Sequence, residues 1–234
     1  MTTDKVAIVT AAGKGIGAAI ARRLKHSGYQ LVLMSPSENC IALADELGAT
    51  AVQGSTASAS DLEGLVQHTV DRFGRIDAVV NHTGHPPKGD LLEISDEQWA
   101  QGHEMLLQGV IRMAKLVTPY MESQGSGSIV NITTYASSEP ELIFPVSCVY
   151  RAGIASFTKL YSDRYAAAGI RMNCALPGFI DSLDHSQTIA DRVPMKRIGK
   201  VDEFAATVEF LLSDDAGYIT GQNIRVDGGI TRHI

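Results

Sequence analysis

Two groups of residues in the sequence have the types and spacing that chemistry could use. The first is a run of glycines and small residues over 10–17, Thr-Ala-Ala-Gly-Lys-Gly-Ile-Gly, which directly follows a β-branched segment. The second lies much later, where the hydroxyls of Thr134, Ser147 and Tyr150 precede the guanidinium of Arg151. The first group predicts a phosphate-binding turn. The second offers polar groups that could bind or protonate a second ligand.

The glycine-rich run lies where a strand would give way to a helix. Glycine lets the backbone approach a pyrophosphate closely, and a helix N-terminus presents free N–H groups and the positive end of its dipole. The alternative is a turn that only packs the helix on the strand, which is less common at this position. We expect the nucleotide contacts of this turn to come from Thr10, Gly13, Lys14, Gly15, Ile16 and Gly17.

The segments that position these residues alternate between strand and helix patterns. Short β-branched runs occupy 6–10, 30–34, 50–53, 76–81, 128–133, 171–176 and 223–226. Helical periodicity occupies 16–27, 39–47, 60–73, 96–122, 146–168 and 201–212. Such alternation predicts right-handed βαβ units. We therefore expect one α/β domain over residues 1–234, a Rossmann-type doubly wound parallel sheet of about seven strands with helices on both faces.

The composition excludes several classes of function. The 234 residues carry a net charge of −6, which argues against a nucleic-acid partner. No apolar stretch approaches 18 residues, so we expect no membrane association and a cytoplasmic protein. Cys40, Cys148 and Cys174 form no CxxC pair and are expected to be buried thiols. His82 and His85 have no third ligand at a metal-binding spacing, so no metal is expected.

The turn at 10–17 resembles the TGxxxGxG motif of the short-chain dehydrogenase/reductase family. Further segments extend the resemblance over nearly the whole chain: 81–84 (Asn-His-Thr-Gly) is similar to the family's NNAG, and 176–180 (Leu-Pro-Gly-Phe-Ile) to its PG motif. The tail, 218–229, is similar to the ending of β-ketoacyl carrier-protein reductases. The resemblance implies an NAD(P)-dependent oxidoreductase acting on a carbonyl or alcohol. It implies further cofactor contacts from Asn81, Gly84, Arg151, Pro177, Gly178 and Ile180.

The glycine-rich turn at 10–17 departs from the family's motif at Ala11, which stands where the family has its first glycine. We expect this methyl group to be tolerated if the backbone there keeps a negative φ. NAD usually requires an acid at the end of the second strand, and none is present. Lys14 resembles the basic residue of NADP-dependent members, with Ser35 and Ser37 as further donors. We expect NADP; NAD remains the alternative if Glu38 reaches the ribose.

The family's catalytic residues are replaced at all four positions. When the Arg-Ala-Gly at 151–153 is aligned on the family's lysine-Ala-Gly stretch, Ser147 takes the place of the tyrosine and Arg151 that of the lysine. The same resemblance places Thr134 at the serine position and Leu106 at the asparagine position. An alkyl hydroxyl is a far poorer acid than a phenol of pKa about 10. We therefore expect weak or altered activity.

Three side chains are candidate substitutes for the missing tyrosine. Tyr150 would take its place in a shifted register that puts Ile154 at the lysine position, and Tyr135 or His103 could reach in from nearby. The chain is then either a slow oxidoreductase or a pseudoenzyme that binds nucleotide as a sensor or partner subunit, unless it catalyses another class of reaction. The resemblance also implies a homodimer or homotetramer. The sequence identifies no substrate.

Overall fold

The computed structural model describes residues 4–233, which contain one sheet of seven parallel strands. The strands are β1 (Val6–Thr10), β2 (Gln30–Ser35), β3 (Thr50–Gln53), β4 (Ala78–Asn81), β5 (Gly127–Ile132), β6 (Ile170–Pro177) and β7 (Asn223–Val226). Their order is β3-β2-β1-β4-β5-β6-β7. The chain therefore moves outward from β1 to β3, crosses to β4, and then moves outward the other way. The sequence-based prediction of a doubly wound α/β fold is confirmed.

Helices cover both faces of this sheet. They are α1 (Gly15–His26), α2 (Asn39–Leu47), α3 (Ala59–Phe73), α4 (Asp96–Gly102), α5 (Gly109–Gln124), α6 (Pro145–Tyr165), α7 (Gln187–Arg192) and α8 (Val201–Leu212). One apolar core joins α1 and α8 to the sheet through Leu24 and Val208. A second core on the opposite face joins α3, α5 and α6 through Leu65, Val117 and Tyr161. Strands buried on both faces explain why the sequence shows continuous apolar runs rather than alternation.

The helix predicted over 96–122 is not continuous. A π-helical segment, His103–Gln108, separates α4 from α5. Glycines flank it and lie in close contacts: a Cβ on Gly102 would be 2.3 Å from Val146 Cγ1, and one on Gly109 would be 2.6 Å from the Thr56 carbonyl oxygen. The wider π turn accommodates one extra residue between these two fixed contacts. Other predicted boundaries differ from the structure by one to three residues, as expected where helices and strands fray.

Several smaller features bear on the predictions from sequence. The three cysteine thiols are buried, as expected. Within residues 4–233, no helix combines the length and apolar character needed to cross a membrane. The same residues contain no cluster of three or more histidine, cysteine, aspartate or glutamate side chains that could hold a metal ion.

Candidate functional site

A cavity of about 480 Å³ opens at the carboxyl ends of the central strands. It lies where the chain order reverses between β1 and β4, which is the position at which open parallel sheets bind ligands. Thirteen of the residues that the sequence nominated line this cavity: Gly13, Lys14, Gly15, Ile16, Ser35, Ser37, Gly84, Thr134, Ser147, Arg151, Pro177, Gly178 and Ile180. Strand ends and helix N-termini that are far apart in sequence thus form one site.

The turn between β1 and α1 is shaped to accept an anion. Lys14 precedes the helix in an extended conformation, and no side chain caps the helix N-terminus. Its first N–H groups are therefore available to a ligand. A Cβ on Gly13 would crowd the hydroxyls of Ser35 and Ser37 at 3.1 and 3.2 Å. A Cβ on Gly17 would lie 2.4 Å from the carbonyl oxygen of Ala11, so glycine is required there.

A negative φ was the condition for tolerating Ala11 in this turn, and the structure does not meet it: the φ of Ala11 is +48°. The turn holds the residue in this region because the next amide, Ala12 N, donates to the Met34 carbonyl at 3.1 Å, while helix α1 packs on the Ala11 carbonyl through Gly17. A left-handed conformation costs a residue with a Cβ about 1 to 2 kcal/mol. The turn keeps the shape that glycine would give it, at a cost in stability.

Three of the nominated residues lie behind the cavity wall. The Thr10 hydroxyl donates to the carbonyl of His82 at 2.6 Å and accepts from its N–H at 2.9 Å. Asn81 Nδ2 donates to Asn131 Oδ1 at 2.8 Å. Gly17 lies in the first turn of α1, against the Ala11 carbonyl. These residues hold the loop after β4 and the phosphate turn in place rather than lining the cavity themselves.

The end of β2 carries two serines and no acid. Ser35 is buried, and its Oγ lies 3.1 Å from Ser37 Oγ. Glu38 is exposed next to α2 and is absent from the cavity lining. None of the described residues that line the cavity is an aspartate or a glutamate. This wall suits a phosphate better than a pair of ribose hydroxyls, which require an acceptor.

Arg151 is the most constrained side chain at the site. Its Nη1 donates to the carbonyls of Ile132 and Thr133 at 2.5 and 2.8 Å, and its Nη2 donates to Thr83 Oγ1 at 3.2 Å. It forms no ion pair with any carboxylate of residues 4–233, and burial lowers the pKa of its guanidinium to about 10. Arg151 thus fastens the end of β5 to the loop after β4 while it places a positive charge in the cavity wall.

Three buried polar atoms of the described chain lack a hydrogen-bond partner, and all belong to residues of the cavity wall. They are Arg151 Nε, Thr133 Oγ1 and His82 Nδ1. A buried polar group without a partner is costly, so such groups mark places where a bound ligand supplies the partner. Burial, reinforced by the nearby charge of Arg151, lowers the pKa of His82 to about 3. The ring is therefore neutral and can accept or donate one hydrogen bond.

The residues at the family's catalytic positions converge on the cavity without providing a free phenol. Ser147 and Arg151 are four residues apart on α6 and share its cavity-facing side. Thr134 lines the same wall, and its Oγ1 accepts the N–H of Ala136 at 3.3 Å. Leu106 lies in the π-helical segment and is fully buried. The site therefore offers two alkyl hydroxyls and one guanidinium.

The structure does not bring Tyr150 or His103 to this cavity. The Tyr150 ring packs edge-on against Trp99 and His103, with centroids 5.8 and 5.6 Å apart. Tyr135 does line the cavity, but its hydroxyl donates to Glu141 Oε1 at 2.7 Å. Burial and this carboxylate raise the pKa of the Tyr135 phenol. It is therefore a weaker acid than an ordinary tyrosine.

Several residues that line the cavity from loops were not predicted from the sequence, notably Lys88, Phe144, Leu183 and His185. Loop residues follow no periodic pattern, so sequence spacing gives no signal for them. His85, considered only as a metal ligand, also lines the cavity.

Comparison with known proteins finds similar sequences over nearly the whole chain. A family model described as enoyl-(acyl carrier protein) reductase matches residues 10–231. A 3-oxoacyl-[acyl-carrier-protein] reductase from Synechocystis sp. is 35% identical over 97% of this chain and 97% of its own. A protein of that name from Staphylococcus epidermidis is 32% identical over 97% of this chain and 99% of its own.

Solved structures agree in fold over nearly the whole chain. An actinorhodin polyketide ketoreductase variant with NADPH is 30% identical, with a TM-score of 0.93 and 98% of each chain covered. An L-sorbose reductase from Gluconobacter frateurii, complexed with NADPH and L-sorbose, is 27% identical, with a TM-score of 0.92 over 99% of this chain and 98% of that one.

Proposed function

Because the chain belongs to the short-chain dehydrogenase/reductase family, we propose that it is an NADPH-binding oxidoreductase that reduces a carbonyl compound slowly, without a phenol as proton donor. The observation that carries this proposal is the cavity itself. It joins an uncapped helix N-terminus and Lys14 at one end to Ser147 and Arg151 at the other, and no carboxylate lines it among the described residues. Relatives whose structures hold NADPH support the choice of cofactor.

The residues present fit this cofactor. The free N–H groups at the start of α1 would bind the pyrophosphate, and Lys14 with Ser35 and Ser37 would bind the 2′-phosphate. The unpartnered Nε of Arg151 and Oγ1 of Thr133 would hydrogen-bond polar groups of the nicotinamide half. When bound, the cofactor supplies the hydride.

The chain's own residues account for slow turnover. The hydroxyls of Ser147 and Thr134 can orient a carbonyl oxygen, and the charge of Arg151 favours negative charge on that oxygen. Neither hydroxyl is acidic enough to donate a proton readily. A guanidinium does not release its proton near neutrality. The proton would therefore come from Ser147 or from water, and the rate enhancement of about 100- to 10,000-fold that a matched acid provides is absent.

A second candidate function is nucleotide binding without redox turnover, as a sensor or partner subunit. The observation that favours it is the state of Tyr135, since the one described tyrosine of the cavity wall is hydrogen-bonded to Glu141 and has a raised pKa. Both candidates need NADPH binding and differ only in turnover.

Calorimetric titration with NADPH and NADH tests the step that the two candidates share. We expect NADPH to bind about tenfold more tightly, because a charged contact to the 2′-phosphate contributes about 1.5 kcal/mol. Lys14→Gln should remove most of this preference. Lys25→Gln, at the other end of the same helix, is the matched control and should leave it unchanged. If neither nucleotide binds at millimolar concentration, both candidates are refuted.

The double variant Ser147→Tyr/Arg151→Lys distinguishes slow catalysis by the wild type from the absence of catalysis. Restoring an activated phenol should raise the rate of NADPH oxidation by ethyl acetoacetate by about 100- to 10,000-fold over the wild type. Ser147→Phe/Arg151→Lys, which has the ring without the hydroxyl, is the control and should stay at or below the wild-type rate. If the wild type shows no turnover, and the double variant binds NADPH but gains no activity, the result would favour the non-redox function.

We also propose that the chain forms a homodimer or homotetramer in the cytoplasm. Apolar side chains are exposed on two helices, Val149 and Leu160 on α6 and Phe210 on α8, and Tyr218 is exposed shortly after α8. Scattered exposed apolar residues are normal, but two on the same side of one long helix suit an interface. A second copy of the chain would cover them.

A further inference from the structure

One end of the cavity is lined by residues of two loops that make none of the proposed cofactor contacts. His85 and Lys88 lie on the loop after β4, and Phe144 ends the loop before α6. The two loops meet there, because Lys88 Nζ lies 5.5 Å from the centroid of the Phe144 ring. Ser147 follows on the first turn of α6 and lines the same cavity. A second ligand that reaches Ser147 therefore has these two loops beside it.

The charge in this cavity is of one sign. Lys14, Lys88 and Arg151 line it, and none of the three forms an ion pair with a carboxylate within residues 4–233. This contrasts with the protein as a whole, whose net charge is −6. An accumulation of uncompensated positive charge in a cleft attracts anions.

The three cationic side chains make different contacts. Lys14 belongs to the nucleotide turn, and the guanidinium of Arg151 is fixed on backbone carbonyls. Lys88 is exposed, and no hydrogen bond to it is formed by any described residue. Its ammonium keeps three free N–H donors and rests over an aromatic face, which positions the charge at low cost. Lys88 is thus the cation left for a ligand other than the nucleotide.

His85 also lines this part of the cavity, near the three cations. Burial, and after it the charges of Lys88, Arg151 and Lys14, lower its pKa. A neutral imidazole at this point adds a hydrogen-bonding group and no further charge.

We propose that the carbonyl substrate carries an anionic group, a carboxylate or a phosphate, which Lys88 binds while the Phe144 ring packs on its carbon skeleton. Lys88 is then a residue that determines specificity rather than one that performs the chemistry. This proposal rests on the proposed function, since it names the class of substrate for the same site. A hydrogen bond between a charged donor and an anion is worth about 1.5 kcal/mol or more, which is about tenfold in affinity.

Matched ligand pairs test this on the protein loaded with NADP⁺, in which no ketone is reduced. Acetoacetate is compared with methyl acetoacetate, and dihydroxyacetone phosphate with dihydroxyacetone, by saturation-transfer NMR and calorimetry. The anionic member of at least one pair should bind about tenfold more tightly than its neutral partner. The pair that shows the larger difference identifies carboxylate or phosphate as the preferred group.

Variants of Lys88 test whether this residue causes the tighter binding of the anionic ligand. Lys88→Gln should bring both members of a pair to equal affinity, and Lys88→Arg should keep the preference. Lys115→Gln, on the exposed side of α5, is the control and should behave as wild type. NADPH affinity should be the same in all four proteins. Equal affinity for charged and neutral ligands in the wild type, or a loss of NADPH affinity in Lys88→Gln, would overturn the proposal.

The proposed function and the assignment of Lys88 can be refuted separately. If the wild type does not bind NADPH, the proposed function is wrong. If it binds NADPH but does not distinguish acetoacetate from its ester or the phosphate from its alcohol, only the assignment of Lys88 is wrong.

Discussion

The guanidinium of Arg151 has two roles, and a lysine could not fill both in the same way. It hydrogen-bonds the end of β5 and the loop after β4, and it places a positive charge in the cavity wall. Its Nη1 donates to the carbonyls of both Ile132 and Thr133, and its Nη2 donates to Thr83 Oγ1. A lysine ammonium is a compact point charge with three donors and no fork. It would leave part of this network without a partner. The reverted site is therefore expected to gain acid chemistry and to lose some rigidity between β5 and the loop after β4.

Ala11 provides a prediction about stability. Ala11→Gly should raise the free energy of unfolding by about 0.5 to 1 kcal/mol, because relief of the left-handed strain exceeds the entropy cost of glycine. Urea denaturation measures the difference. The neighbouring Ala12→Gly is the control: Ala12 is buried and has no positive φ, so this change should lower stability. A destabilised Ala11→Gly protein would contradict the assignment of strain.

His82 provides a prediction about pH. Its folded-state pKa of about 3 lies below the ordinary value of 6.5, so the unfolded chain binds a proton at a higher pH than the folded one. This contribution to stability is complete above pH 6.5 and is lost as the pH falls towards 3. His82→Asn should therefore reduce the drop in unfolding free energy between pH 7 and pH 5 by about 1 to 2 kcal/mol.

The control for His82 is His103, whose ring lies partly exposed against Tyr150. His103→Asn shows how much of any change comes from removing an imidazole outside the cavity. Urea unfolding of the three proteins at the two pH values gives the comparison. A His82→Asn protein with an unchanged pH dependence would show that the ring is not held neutral by the fold.

At the scale of the element, the interrupted helix α4–α5 explains why the family's asparagine cannot simply be restored. Leu106 packs in the π-helical segment against Val110, Ile154 and Leu176. Leu106→Asn would bury an amide among apolar side chains and remove their packing partner. We expect a loss of about 2 to 4 kcal/mol in unfolding free energy, measured by urea denaturation.

Leu92 provides the comparison for this change. Its side chain is 92% exposed, so Leu92→Asn should alter stability by less than about 0.5 kcal/mol. If Leu106→Asn is as mild as Leu92→Asn, the segment contains space and a hydrogen-bond partner for an amide, and packing does not exclude the family's asparagine.

The elements also show which predictions the sequence could support. Strand and helix types follow from periodicity, and the glycine turn follows from its place between β1 and α1, so the fold and about half of the cavity wall were predictable. The π-helical segment was not, because it arises from contacts of Gly102 and Gly109 with distant residues. The φ of Ala11 likewise depends on tertiary packing. The orientation of Tyr150 towards Trp99 depends on the same helix packing, which sequence spacing alone does not determine.

At the scale of the whole molecule, the exposed apolar side chains of α6 predict assembly. Sedimentation should show a dimer or tetramer. Leu160→Glu should shift the distribution to a smaller species, because Leu160 is 66% exposed in one chain and a charge in an apolar interface is costly. Leu92→Glu, on a loop, should leave the assembly intact. A wild type that sediments as a monomer would refute the proposed homo-oligomer.

The contrast between an acidic protein and a cation-lined cavity has a consequence for how fast ligands arrive. A polyanion such as NADPH approaching from far away meets the field of the net charge of −6, which repels it. Within roughly 10 Å of the cavity, about one Debye length at 0.1 M salt, it meets the attraction of Lys14 and Arg151 instead. Added salt screens the long-range repulsion. It also weakens the contacts between the bound anion and the cations that line the cavity. Ionic strength should therefore raise the rate of capture while it shortens the residence time of the bound anion.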